Sequence, residues 1–166
     1  FTPSYPLSGT SWTDMSFSGS NGTLINGPTF NSSYGSITFD GSDDYGVFTG
    51  TGGDILPSSS YSNRTATWEG IVRFSTSTGA NAVTTKWDNT SGENWWFGRY
   101  PSNTVHLALQ TSAGYQGLYS STTIVSTTTQ FQYIAVTTSG SNYVFYINGA
   151  NAGSGTYSGT WNAPDL

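Results

Sequence analysis

Apolar and polar side chains alternate with period two along most of this chain, most regularly over residues 104–111. There Val105, Leu107 and Leu109 share one side while His106, Ala108 and Gln110 share the other, the pattern of a strand, whose successive side chains point to opposite faces. Segment 65–75 behaves alike: Trp68, Gly70, Val72 and Phe74 form the row expected to face the core, with Glu69, Ile71 and Arg73 opposite. Residues 82–87 and 95–100 read as strands around a polar turn at 88–94. Residues 131–139 and 142–150 read as a hairpin closed at Gly140-Ser141, after which Asn148-Gly149 turns the chain into 150–161, with at most one weak strand. The stretch from 112 to 130 is looser.

The N-terminal third is more broken. Residues 1–17 contain Pro3, Pro6 and Gly9 and read as a loop-rich lead-in, with Trp12 and Phe17 as anchors. Asn21-Gly22 and Asn26-Gly27 bracket a short edge strand at 23–25, and Pro28 blocks ladder pairing just beyond. Residues 34–48 carry a strand, a polar corner from Asp40-Gly41 to Asp44, and a returning strand. Their spacing predicts a hairpin around which the chain is organised, followed by a Gly, Ser and Pro-rich connection over 50–63. About ten short strands with turns at this spacing predict an all-β chain, an antiparallel sandwich or barrel rather than βαβ units.

Composition sharpens that expectation. The 21 glycines and the wealth of Ser and Thr disfavour helices, while an aromatic content of 16% supplies area for a core in a single domain of 166 residues. Charged residues are only 8% and the net charge is −5, which leaves no basic footprint for nucleic acid. The absence of Cys excludes disulfides, thiolate-bound zinc and thiol nucleophiles. No apolar run is long enough for a helical membrane span and no basic-plus-apolar leader opens the chain. It begins at Phe1, from which a processed protein or a piece of a longer one is expected.

The candidate chemistry is sparse. Trp87, Trp95, Trp96 and Tyr100, with Arg99, Asp88 and Asn94 nearby, form the set best suited to a glycan, because flat rings pack on sugar C–H groups while polar neighbours bond hydroxyls. Adjacent Trp95 and Trp96 must point to opposite sheet faces, so one of them belongs to the core. Asp40, Asp43 and Asp44 offer oxygen ligands to calcium, the one cofactor to consider. The spacing fits no twelve-residue calcium loop, and the favoured role is that Asp40 and Asp43 satisfy backbone N–H groups of their own turn; Asp14 and Asp54 are weaker calcium candidates. His106, the sole histidine, has no acid or Cys in its strand and is expected to be exposed or hydrogen-bonded. Asn21, Asn31, Asn63 and Asn89 begin N-x-[ST] sequences, which matter only in a eukaryotic secretory pathway.

Four segments together resemble a known family: SGTSWTDMSFSGSNGTLINGPTF (8–30), GSITFDGSDDYGVF (35–48), TWEGIVRF (67–74) and FQYIAVTTSGSNYVFYINGA (131–150). In this order they look like the laminin G-like branch of the concanavalin A-like jelly rolls, and the opening segment is similar to copies in bacteriophage structural and tail-associated proteins. The resemblance implies a two-sheet β-sandwich, one sheet convex and one concave, in a module that binds glycans or proteins and is not an enzyme. It also implies closing strands after the Trp161 region; since the sequence stops at Asp165-Leu166, the expectation is a partial chain or an edge completed by a neighbour. Glycosidases occur in the same superfamily, but they need two carboxyl groups about 5 to 5.5 Å apart. The only glutamates are Glu69 and Glu93, and no strand carries an acidic cluster.

The resulting expectation is a non-enzymatic virion-surface module, a decoration, fibre or tail-associated domain engaging host-surface glycan or neighbouring virion proteins, as a homo-oligomer or part of a larger assembly. The alternative is a carbohydrate-binding module of a secreted bacterial adhesin or enzyme, extracellular rather than on a virion.

Overall fold

Alternation of this kind places one row of each strand against a second layer, and a computed structural model shows where the rows meet. It describes residues 9–14, 21–48, 65–74, 79–86, 95–124 and 130–160. Among them every regular element is a β-strand, every pairing is antiparallel, and no helix is long and apolar enough to cross a membrane. The chain divides into two units, Phe1–Pro57 and Ser58–Leu166.

The first unit holds β1 (Ser11–Trp12), β2 (Gly22–Ile25), β3 (Thr29–Asn31), β4 (Ser36–Thr38) and β5 (Tyr45–Phe48). They form a sheet in the order β1-β2-β5 and a separate β3-β4 pair. The strands expected within 34–48 exist, but they do not form a hairpin with each other. β4 returns on β3 instead, because the short turn at 32–35 is closed locally: Tyr34 donates its N–H to the Asn31 carbonyl at 3.3 Å and Ser33 donates to Asn31 Oδ1 at 3.1 Å. The Asp40 corner spends its own N–H groups on carboxylates, and the chain leaves it into another sheet, where β5 pairs with β2. β2 is therefore central rather than an edge, paired on its other side with β1, inside the stretch expected to be loop. Gly22 permits this, since a Cβ there would lie 2.6 Å from the Phe48 ring, which packs 5.4 Å from Trp12.

The second unit holds β6 (Thr65–Val72), β7 (Asn81–Lys86), β8 (Trp95–Arg99), β9 (Thr104–Thr111), β10 (Gly114–Thr123), β11 (Gln132–Ser139), β12 (Asn142–Ile147) and β13 (Ala150–Thr156). They build two four-stranded sheets, β10-β9-β8-β7 and β13-β12-β11-β6. The expected hairpin at Gly140-Ser141 pairs Ser139 with Asn142, and the next turn carries Asn148 at φ 52° and Gly149 at φ 81°, the left-handed backbone of a two-residue connection. Two strands exceed expectation. β10 is ten residues long in the stretch read as loose, and β13 runs seven residues. Their Gly, Ser and Thr content hides the alternation that their neighbours complete.

The inward rows make the core. Phe97, Val105, Leu107, Leu109, Ile134, Val136 and Phe145 are fully buried, and Trp68 meets Trp95 across the layers with ring centroids 6.0 Å apart. Each such aliphatic or aromatic side chain contributes about 1.5–3 kcal/mol on burial. The row predicted from 65–75 holds: Trp68 is buried while Ile71 on the opposite row is 72% exposed. At one margin the sheets are tied by Ser121 Oγ donating to the Ala152 carbonyl at 3.0 Å.

Gly98 sets the spacing of β7 against β8, because a Cβ there would lie 2.1 Å from the Asn81 carbonyl oxygen, at the point where the ladder shifts register between Ala82 and Thr84. No rotamer relieves an overlap with backbone. Gly98→Ala is expected to destabilise the fold by about 1–3 kcal/mol, measured as a lower urea midpoint; an unchanged midpoint would show that the two strands can part without cost.

Candidate functional site

Strand parity decides which side chains of the C-terminal unit meet. On β8, Trp95, Phe97 and Arg99 point inward, and Trp96, Gly98 and the following Tyr100 point outward. Register then aligns Trp96 with Ala108, Gly98 with His106, Ala108 with Gly117, His106 with Tyr119, and Gln110 with Tyr115. The outward face of β8, β9 and β10 thus carries three small residues, Gly98, Ala108 and Gly117, among Trp96, Tyr100, Tyr115 and Tyr119. Small residues between large rings leave a groove of about 250 Å³, lined by Ala80, Trp96, Tyr100, His106, Ala108 and Tyr115.

Each ring is held from below. Tyr100 lies just past β8, where its N–H donates to the Thr104 carbonyl at 3.0 Å and its own carbonyl accepts from Asn103 at 2.9 Å. Tyr119 is the last residue of regular pairing between β9 and β10 before the ladder slips to Thr123. There Ser120 Oγ, buried, takes over by accepting the Val105 N–H at 3.0 Å. Tyr100, Tyr115 and Tyr119 remain 38%, 53% and 39% exposed. Burial, and secondarily the neighbouring phenols, raise the phenol pKa of Tyr115 and Tyr119.

His106 departs from expectation: it is neither exposed nor hydrogen-bonded. Only 3% of it is exposed, and no protein group partners either ring nitrogen among the described residues. Tyr119 stacks on it at 4.3 Å with planes 3° apart, while the Tyr100 and Trp96 rings stand 4.9 and 5.3 Å away. Leaving a buried polar group unmatched costs about 1–3 kcal/mol. Desolvation alone pushes the imidazole down from 6.5 to about 4, so at neutral pH none of the described residues lining the groove is charged.

Of the five residues singled out for glycan contact, the structure brings together only Trp96 and Tyr100. Trp95 and Arg99 point into the layer between the sheets, and Trp87 lies outside the described residues, as do Asp88 and Asn94. Arg99 is a buried structural peg. Its Nε and Nη2 donate to Asn81 Oδ1 at 3.1 and 2.5 Å, Nη2 also donates to the Gly79 carbonyl at 3.2 Å, and its guanidinium lies 5.4 Å from the Phe74 ring. Desolvation lowers its pKa. The residues missed at this face are His106, Tyr115 and Tyr119. The signal for the tyrosines was present as Tyr115-x-Gly117-x-Tyr119, one row of a strand read as a loose segment.

In the other unit, the carboxylates of Asp40, Asp43 and Asp44 have oxygens within 4.8 Å of one another. Asp40 Oδ1 accepts the N–H groups of Ser42 at 2.8 Å and Asp43 at 3.4 Å, and Asp44 Oδ2 accepts that of Asp40 at 2.9 Å. The Ser42 bond is the main reason the Asp40 carboxyl titrates below its usual value. The corner is therefore built by Asp40 and Asp44, where the sequence pointed to Asp40 and Asp43; Asp43 contributes its carbonyl, which accepts from Asn26 Nδ2 at 2.8 Å.

The buried imidazole has a measurable consequence. Between pH 6.5 and about 4 the unfolded chain holds a proton on His106 that the folded chain refuses, so stability rises with pH across that window. The contribution is complete above about 6.5 and lost as pH falls to about 4, amounting to about 3 kcal/mol. Urea titrations at stepped pH are expected to show this slope in the wild type and a flatter one in His106→Phe; equal slopes would mean the ring is hydrated.

No protein-family model matches the chain, and no curated protein matches it. Among solved structures the chain is similar to an S-layer domain-containing protein from Clostridium thermocellum ATCC 27405, at 24% identity over 92% of this chain and 68% of that one, with a TM-score of 0.48, too slight a likeness to carry a functional argument.

Proposed function

We propose that this protein is a non-enzymatic attachment module whose outward face of β8, β9 and β10 holds a neutral glycan. One observation carries the proposal: Trp96, Tyr100 and Tyr115 line a groove with Ala80, His106 and Ala108, none of the described lining residues is charged at neutral pH, and Tyr119 stands on the same face. The C–H faces of a pyranose ring are apolar, and the phenol hydroxyls at the rim are suited to its hydroxyls. Among the described lining residues an anion would find no cation, and a cation no carboxylate.

Among the described residues the groove lining carries no acid, which supports a binding rather than a hydrolytic reading of this site. Glu69 lies in the other sheet, where its carboxylate accepts the Tyr133 hydroxyl at 2.5 Å. The aspartate trio belongs to the other unit, where the Asp40 and Asp44 carboxylates are committed to their own corner. The laminin G-like resemblance of segments 8–30, 35–48, 67–74 and 131–150, with the likeness of the opening segment to copies in phage structural proteins, supports placing the module on the outside of a virus particle of the phage type. There it would hold host-surface glycan or a neighbouring virion protein. A secreted bacterial adhesin or enzyme would use the same groove in the same way.

Titration of the intact chain against neutral oligosaccharides (glucan, xylan, mannan and galactan fragments) is expected to give saturable binding. Trp96→Ala or Tyr115→Ala should weaken it at least about tenfold, the equivalent of about 1.4 kcal/mol. Binding to none of these, with retention only on a virion protein, would replace the glycan by a protein ligand; release of sugar from a polysaccharide would end the non-enzymatic assignment.

A further inference from the structure

His106 is costly for a residue that only fills space. A phenylalanine in its position would stack on Tyr119 equally well and would bury no polar atom, so packing does not account for an imidazole at the base of the groove. Both ring nitrogens lack a protein partner among the described residues although the side chain is 3% exposed, and the ring belongs to the lining of the groove. A neutral imidazole offers one donor and one acceptor, the same complement as a sugar hydroxyl.

We propose that His106 is the specificity-determining polar contact of this site, one of its ring nitrogens making a hydrogen bond, in the plane of the imidazole, to one hydroxyl of the bound sugar once the Tyr119 ring that packs over it shifts. The inference rests on the glycan assignment of the groove and adds the group that selects among glycans. Tyr119 is the ring placed to move, its hydroxyl exchanging the bonds it shares with the Tyr100 and Tyr115 phenols for bonds to sugar hydroxyls. It is 39% exposed, and the β9–β10 ladder loses its register directly after it. Beside it, Gly117 offers no side chain to block the ring, and a Cβ there would stand 3.1 Å from the Tyr119 hydroxyl. Trp96 and Tyr100 then remain as the stacking walls. A buried group that needs a particular hydroxyl rejects analogues lacking it far more strongly than an apolar wall can.

The test compares the best-binding oligosaccharide of the neutral panel with its single-deoxy analogues, on wild type, His106→Phe, His106→Gln and Trp96→Ala. Wild type is expected to lose at least about a hundredfold in affinity for one deoxy analogue. His106→Phe should bind the parent sugar at least tenfold more weakly and no longer distinguish that analogue, while His106→Gln recovers part of the distinction. Trp96→Ala should weaken parent and analogue by the same factor. If His106→Phe retains wild-type affinity and discrimination while Trp96→Ala loses binding, the role of His106 is overturned and the glycan groove stands; if wild type binds no panel member, both fall. Should His106→Phe fail to fold, the ring-nitrogen NMR shifts of His106 in the wild type decide. Saturating sugar is expected to move one of them, and no movement overturns the proposal.

Discussion

The contact of two four-stranded sheets across a layer of Trp68, Phe97, Leu107, Leu109, Val136 and Phe145 is the constraint on which the rest of the C-terminal unit depends. Once that row of each strand is committed inward, the pleat sends the other row outward. Burial of Trp95, Phe97 and Arg99 on one side of β8 is therefore what presents Trp96 and Tyr100 on the other. A one-residue slip would exchange the two sets and empty the groove of its rings.

Irregularities adjust this arrangement without breaking it. The shift between Ala82 and Thr84 lets β7 approach Gly98, and beside it Arg99 binds Asn81 and the Gly79 carbonyl, so the buried guanidinium anchors the lead into β7. The shift after Tyr119 is closed by Ser120, whose hydroxyl accepts the Val105 N–H and donates to the Thr122 carbonyl at 2.6 Å. Both irregularities lie at strands that carry the aromatic face, where bulges re-aim side chains.

The electrostatic character of that face follows from composition and burial together. A chain with 8% charged residues has few to spend. The cation within β8 is turned into the core, and the one histidine is desolvated into neutrality. What remains on the described part of that face is a set of rings and phenols in a neutral setting, a chemistry of shape, stacking and single hydrogen bonds rather than of charge.

Much was legible from residues alone. The all-β class, the strands expected at 104–111, 131–139 and 142–150, the turns at Gly140-Ser141 and Asn148-Gly149, and the inward row expected over 65–75 follow from alternation and turn chemistry, which are local properties. So does the rule that Trp95 and Trp96 part company. Pairing in the N-terminal unit was not legible: β4 joined β3, and β5 joined β2, because the choice between a neighbour across one turn and a neighbour across another rests on which backbone groups each turn leaves free. Neither was the site. Tyr115 and Tyr119 reach Trp96 and His106 only through the β8–β9–β10 register, and His106 is buried by rings from β10 and from the end of β8. Burial and desolvation are properties of what surrounds a residue, which the strand bearing it does not encode. Alternation by itself settled which residues share a face; only the tertiary register decided which faces meet, since that is set by cross-strand hydrogen bonds between segments distant in the chain.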